Sequence, residues 1–162
     1  MHQPFEIERK FLIEYPDIQW LQNNPYCRRA EIVQTYLKSS PDEEIRVRKR
    51  CENGESVYYH TTKKRVSGIK RVEIENVISE AEYLDSLRQA DDSMRAIEKV
   101  RYCLEYDNHI FEIDIYPFWN DKAIIEIELS DENEEIIFPE EIKVIKEVTD
   151  DIAYKNASLA KI

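Results

Sequence analysis

The chain has almost no glycine. Gly54 and Gly68 are the two in 162 residues, so no Gly-rich loop can cradle a nucleotide, and P-loop and dinucleotide-binding readings fail. Cysteine is nearly as scarce. Cys27, Cys51 and Cys103 are odd in number, widely spaced and form no CxxC. That argues against a disulfide framework or a thiolate zinc site and suits a reducing cytoplasm. The three histidines, His2, His60 and His109, stand apart, whereas histidine metal ligands come in clusters. No serine occupies a nucleophile elbow. No apolar run approaches the ~20 residues of a membrane span, and no signal-peptide pattern is present, so a cytoplasmic protein without a membrane partner is predicted. Positive charge is also short: 23 Lys and Arg stand against 34 Asp and Glu, a net charge of −11 with a pI near 4.8. A nucleic-acid partner would call for the opposite sign.

What the chain does have is a period of two. Hydrophobic residues make up 42% of it, enough to bury a core in one domain spanning 1–162. Segments 6–13, 32–38, 45–51, 57–64, 70–78, 96–106, 110–116 and 123–129 are rich in β-branched and aromatic residues, and most alternate apolar with polar. Asn53-Gly54 is a strong type I′ hairpin signal, because both central residues need positive φ. Asn108-His109 predicts a second tight turn. Eight mostly antiparallel strands with short connections follow. Ser79-Glu80-Ala81-Glu82 reads as a capping box opening a helix through Tyr83, Leu84 and Leu87. Pro139-Glu140-Glu141 predicts a short helix, and Thr149 a cap for a last helical segment. The fold class is α+β, dominated by an antiparallel barrel.

The charges sort by strand face. Side chains at i and i+2 point the same way from a strand. Arg46, Arg48 and Arg50 therefore share a face, as do Lys63 with Arg65, and Lys99 with Arg101. Glu6 and Glu8 lie with Lys10, Glu73 and Glu75 with Arg71, Glu112 with Asp114, and Glu126 with Glu128. One such stripe is ordinarily a solvated outer face. Faces segregated by sign are different, because like charges two residues apart repel unless a partner of opposite sign is present. Carboxylate stripes suit a hard divalent cation. Arg and Lys stripes suit a polyanion, since the Arg fork matches phosphate oxygens. With these faces inward, the barrel is a polar tunnel. Its outward apolar faces then need cover, from the C-terminal helices or from a second copy in a homodimer.

These residues resemble the CYTH superfamily, the triphosphate tunnel metalloenzymes, over nearly the full length and in family order. Glu6-Ile7-Glu8-Arg9-Lys10 resembles the ExExK signature, and Gln34-Thr35-Tyr36-Leu37 the QxYL element. Arg46-Val47-Arg48 is similar to the RxR strand, Thr62-Lys63 to the lysine strand, and Arg71-Val72-Glu73-Ile74-Glu75 to RxExE. Lys99-Val100-Arg101 resembles KxR, Glu112-Ile113-Asp114 the ExD strand, and Glu126-Ile127-Glu128 the C-terminal ExE pair. Glu147-Val148-Thr149 with Tyr154-Lys155-Asn156 is similar to the closing helix. In place of a Gly-containing turn after the ExD strand stands Tyr116-Pro117-Phe118-Trp119-Asn120-Asp121-Lys122, whose aromatics are expected to pack, the alternative being that they shape substrate choice at the tunnel entrance.

The resemblance implies an eight-stranded antiparallel tunnel that binds a small polyanionic triphosphate with Mg²⁺ or Mn²⁺. It implies Glu6, Glu8, Asp114, Glu126 and Glu128 as metal ligands, and Lys10, Arg46, Arg48, Lys63, Lys99 and Arg101 as phosphate contacts. Of these, Glu6, Glu8, Lys10, Glu126 and Glu128 are taken as the catalytic set. Glu73, Glu75 and Arg71 are supporting residues, and Lys155 is a candidate to reach into the tunnel from a C-terminal plug. The expected activity is metal-dependent hydrolysis of inorganic tripolyphosphate. Thiamine triphosphatase and class IV adenylate cyclase are the alternatives within the family, and a non-catalytic polyphosphate- or nucleotide-binding module is the alternative outside enzymes.

Overall fold

The computed structural model describes residues 5–67 and 70–161; the side chains of Phe5 and Glu6 are not among those described, and Gly68 falls outside. Among the described residues nine strands follow in chain order: β1 (Phe5–Glu14), β2 (Cys27–Leu37), β3 (Glu43–Glu52), β4 (Glu55–Ser67), β5 (Lys70–Ile78), β6 (Ile97–Tyr106), β7 (His109–Ile115), β8 (Lys122–Leu129) and β9 (Val144–Glu147). All neighbours are antiparallel. The order is β5-β4-β3-β2-β6-β7-β8-β1-β9, and β1 also pairs with β5, which closes the first eight into a barrel. The β1–β5 seam is short, Phe5↔Val72 to Ile7↔Lys70. Farther along, the same edge of β1 is taken by β9, through Phe11↔Glu147 and Ile13↔Val144.

The turns follow backbone chemistry. Asn53 and Gly54 have φ of 53° and 80°, as their dipeptide demands. The second hairpin is centred one residue earlier than expected, on Asp107 and Asn108 with φ of 49° and 61°. Short polar side chains tolerate that region, whereas His109 already pairs with Tyr106 in the ladder.

Three helices are present among the described residues: α1 (Ile18–Asn23), α2 (Glu80–Ser86) and α3 (Asn156–Leu159). Both halves of the Ser79/Glu82 capping box are formed at α2. The expected helix at Pro139 is a single turn, Ile142 N–H to Pro139 C=O, leading into β9. Thr149 does not cap. Its hydroxyl accepts from the Lys10 backbone N–H and donates to Glu147, while Asp151 caps a 3₁₀ turn, Ile152–Tyr154.

The largest apolar cluster lies outside the barrel. Outer faces of β1, β6, β7 and β8, among them Phe11, Ile13, Leu104, Phe111, Ile113, Ile125 and Ile127, pack under Leu21 of α1 and under Ile136, Phe138 and Ile142 of the segment before β9. A second patch on β3 and β4 is covered by Tyr83 of α2 and by Leu87. Cover therefore comes from α1, α2 and an extended segment. The C-terminal segment goes elsewhere. It packs with the inward-facing Leu12, Tyr36, Ile97, Tyr116 and Ile124 at one end of the tunnel, through Val148, Ala157, Leu159 and Ala160. Tyr116 OH donates to Asn156 there. The 116–122 aromatics join this end: Tyr116 stacks edge-on with Phe118 and Trp119 at 5.1 and 5.4 Å.

Candidate active site

Period-two alternation combined with closure sends every second side chain inward, and the ladder registers decide which ones meet. Glu8↔Glu128 and Lys10↔Glu126 face across β1–β8, and Glu112↔Glu126 across β7–β8. Arg101↔Asp114 face across β6–β7, and Gln34↔Arg48 across β2–β3. Lys63↔Glu73 face across β4–β5. The result is a cavity of about 760 Å³ inside the barrel.

The structure brings Glu8, Lys10, Arg46, Arg48, Lys63, Arg101, Glu126 and Glu128 to this one cavity, along with Arg71, Glu73, Glu75 and Lys155. Glu8, Glu126 and Glu128 form an acidic arc on β1 and β8, and Arg46, Arg48 and Arg50 a cationic one on β3, while Lys10 on β1 and Glu73, Glu75 and Arg71 on β5 mix the signs between them. Glu6 falls outside the described side chains; its backbone pairs with Arg71. Lys155 enters from the C-terminal segment that fills one tunnel end. Its burial, followed by the proximity of Arg71, Arg65 and Lys10, lowers its pKa.

Lys99 and Asp114 do not reach the cavity surface. Both side chains have no solvent exposure, and Lys99 Nζ donates to Asp114 Oδ2 at 2.8 Å. Arg101 closes on the same carboxylate, from Nε to Oδ1 at 2.7 Å and from Nη2 to Oδ2 at 2.9 Å. Its Nη1 donates to Glu112 at 2.9 Å. Burial disfavours ionised Asp114, yet Arg101 and Lys99 outweigh it and hold the carboxyl below its usual range. Burial pulls the Lys99 ammonium down to about 7, with Asp114 pulling the other way.

Glu126 is the member of the acidic arc that two cations approach. Lys10 Nζ lies 3.4 Å from one oxygen and Arg101 Nη2 3.8 Å from the other. Burial opposes its charge, but Lys10, Arg101, Lys99 and Lys63 hold it ionised well below the ordinary carboxylate range. It is thus an oxygen donor near neutrality and not a proton donor. Arg46 is buried, with Glu44 and Glu73 at 3.8 and 3.9 Å, and among the described residues its Nε has no hydrogen-bond partner. A buried guanidinium N–H left unpaired is costly unless an acceptor arrives.

Among the described residues no three carboxylate, imidazole or thiol groups converge tightly enough to cage a metal alone. The acidic arc is a row. A row suits a small hard cation that keeps most of its water and takes one or two carboxylates plus phosphate oxygens. The donor chemistry therefore fits a divalent ion.

The site residues expected from the sequence leave out Tyr59, and also Glu112, Gln34 and Tyr36, although the last three stand in the charge stripes and motifs. Glu112, Tyr59 and Tyr36 line the cavity, and Gln34 lies buried behind it. Strand parity is the signal that finds all four.

Comparison with known proteins follows the same lines. The CYTH domain family model matches residues 4–158. The chain is similar to an inorganic triphosphatase of Acetivibrio thermocellus, 31% identical over 157 residues, covering 96% of this chain and 93% of the relative. It is 31% identical over 158 residues to an inorganic triphosphatase of Nitrosomonas europaea, covering 96% of each. A solved structure of an inorganic triphosphatase superposes with a TM-score of 0.57 at 28% identity, over 96% of this chain and 93% of that one. A conserved hypothetical protein from Pyrococcus furiosus shares the fold, with a TM-score of 0.59 at 22% identity over 78% and 80%. With the family model spanning nearly the whole chain on a closed eight-stranded tunnel, the protein belongs to the CYTH domain family.

Proposed function

We propose that the protein is a divalent-metal-dependent triphosphatase that hydrolyses inorganic tripolyphosphate inside the barrel. The observation that carries this reading is one cavity lined both by the cations Arg46, Arg48, Arg50, Lys63 and Arg101 and by the carboxylates Glu8, Glu126 and Glu128. Phosphoryl transfer is governed by positioning and charge neutralisation, because the phosphates themselves repel a nucleophile. Arg46, Arg48 and Lys63 grip non-bridging oxygens and hold the phosphates in line. Lys10 and Arg101, already drawn toward Glu126, face the charge that grows on the leaving group. Glu8, Glu126 and Glu128 are the ligands proposed for Mg²⁺ or Mn²⁺. A bound divalent ion supplies charge neutralisation on phosphate oxygens and makes water more acidic. Asp114 serves as the counter-ion that keeps Lys99 and Arg101 in place.

The cavity favours an inorganic chain over an organic triphosphate. Among the described residues its aromatic side chains are Tyr36 and Tyr59, and Tyr36 is engaged by Gln34. An adenine or thiazolium ring has little to stack on.

The test is phosphate release by metal-stripped protein supplied with tripolyphosphate, ATP or thiamine triphosphate, with Mg²⁺ or Mn²⁺ restored and EDTA as control. Metal-dependent release from tripolyphosphate well above that from the other two is expected. Metal-dependent binding of tripolyphosphate without release would make the protein a binding module and overturn the enzyme reading.

A further inference from the structure

The cations of the tunnel are not compensated alike. Arg101 is forked by Asp114 and met by Glu112. Arg46 has two carboxylates at 3.8 and 3.9 Å. Arg48 is buried on the same strand, yet among the described residues no carboxylate forms a salt bridge with it. What holds it is a neutral amide. Nε and Nη2 both donate to Gln34 Oε1, at 3.2 and 2.9 Å.

Gln34 is itself fully buried, and its Nε2 donates to Tyr36 Oη at 2.7 Å. This pairing fixes the amide's orientation. A guanidinium can only donate, so the carbonyl oxygen must face Arg48 and the NH₂ must face the phenol. The hold occupies Nε and one N–H of Nη2, leaving Nη1 and the second Nη2 N–H for another acceptor. Burial, with Arg46 and Arg101 nearby, makes this charge costly, lowering its pKa to about 10. Glu75 and Asp114 favour the charge only from a distance, and a cation kept buried and aimed, with no carboxylate in direct contact, is pre-organised for an anion that arrives.

We propose that Gln34 is a positioning residue of the tripolyphosphate site: a neutral acceptor that locks the Arg48 guanidinium without cancelling its charge. This rests on the reading of Arg48 as a phosphate contact. The two alternatives at position 34 each lose something. A carboxylate would hold Arg48 more strongly and neutralise it. An apolar side chain of equal length would leave the charge and release the geometry.

Three variants separate these effects: Q34E, Q34M and R48M, each assayed for KM and kcat on tripolyphosphate with Mg²⁺, alongside thermal melting. Q34E keeps both acceptor contacts, so it should melt at or above the parent temperature. Its KM is expected to rise about tenfold with kcat within about twofold, the pattern of lost phosphate binding. A merely structural Gln34 predicts an unchanged KM in Q34E, and that result would overturn the proposal. So would a fall in kcat at unchanged KM. If Q34E does not fold, Q34M decides. A KM rise of similar size supports the proposal, and adding Q34M to R48M should raise KM no further. An unchanged KM in Q34M rejects it. R48M guards the premise: an unchanged KM there would overturn the reading of Arg48 itself, whereas a raised KM in R48M with parental values in Q34E and Q34M would reject Gln34 alone.

Discussion

Asp114 and Glu126 share Arg101, yet they do different work. Asp114 has no exposed surface and gives both oxygens to Arg101 and Lys99. Replacing it with Asn would take the anion from buried Lys99 and leave Arg101 to Glu112 and Glu126, and breaking a buried pair in this way typically costs about 3–5 kcal/mol. D114N is therefore expected to melt many degrees below the parent, and a melting point within a degree of it would refute the counter-ion role. Glu126 reaches the cavity. E126Q is expected to fold and to lose turnover by about a hundredfold or more, measured as phosphate release. Both carboxyls are held below the ordinary values of 3.8 and 4.5. The unfolded chain thus binds more protons than the folded one between the folded and ordinary values. Their stabilisation is complete above about pH 4.5 and is lost as pH falls through the lower, folded values. Melting temperature should fall on acidification below pH 4.5, with a shallower acid limb in E126Q; an identical limb in E126Q would contradict this assignment.

At the scale of elements, the C-terminal segment is the part whose place in the fold decides its role. Its residues Val148, Ala157, Leu159 and Ala160 pack into one tunnel end against inward-facing side chains, and Lys155 projects into the cavity. Removing residues from Thr149 onward uncovers Leu12, Tyr36, Tyr116 and Ile124. A stability loss of several kcal/mol is expected, with a higher KM for tripolyphosphate, and an unaltered KM in a folded truncation would remove Lys155 from the site. The long strands were legible in the sequence because alternation is a two-residue property, and Asn53-Gly54 fixed one hairpin. The short pieces were not. β9 has four residues, all exposed, so no alternation marks it, and α1 is a six-residue helix with one buried side chain. Gln34 was legible as part of a motif but silent as chemistry, because its role depends on Arg48 lying opposite in the ladder. The withdrawal of Lys99 and Asp114 behind the wall was invisible for a related reason: parity says which face a residue takes, and only the neighbours say how deep it sits.

The whole molecule carries a net charge of −11 around a cavity rich in Arg and Lys. Cations are drawn to such a body from a distance, while a polyphosphate meets favourable charge only inside it. The apolar clusters that hold the barrel are separate from the acidic arc. Stripping metal with EDTA should therefore abolish phosphate release while leaving a cooperative melt within a few degrees of the parent, and loss of the β circular-dichroism spectrum would show that metal holds the fold. The pairing of β9 with β1 has a further consequence for how the molecule comes to exist. Arg9 and Glu147, bonded across that seam, are 138 residues apart in the chain, and β1 also depends on β8. Contacts between distant parts of a sequence form slowly, and synthesis proceeds from the N-terminus. The strand bearing Glu8 and Lys10 can meet β5 early through a short seam, but its long ladder with β8 and its pairing with β9 must wait until those later strands have left the ribosome. The nascent protein is thus exposed to aggregation for longer than a local fold would be, and catalytic competence arrives as the last event of folding.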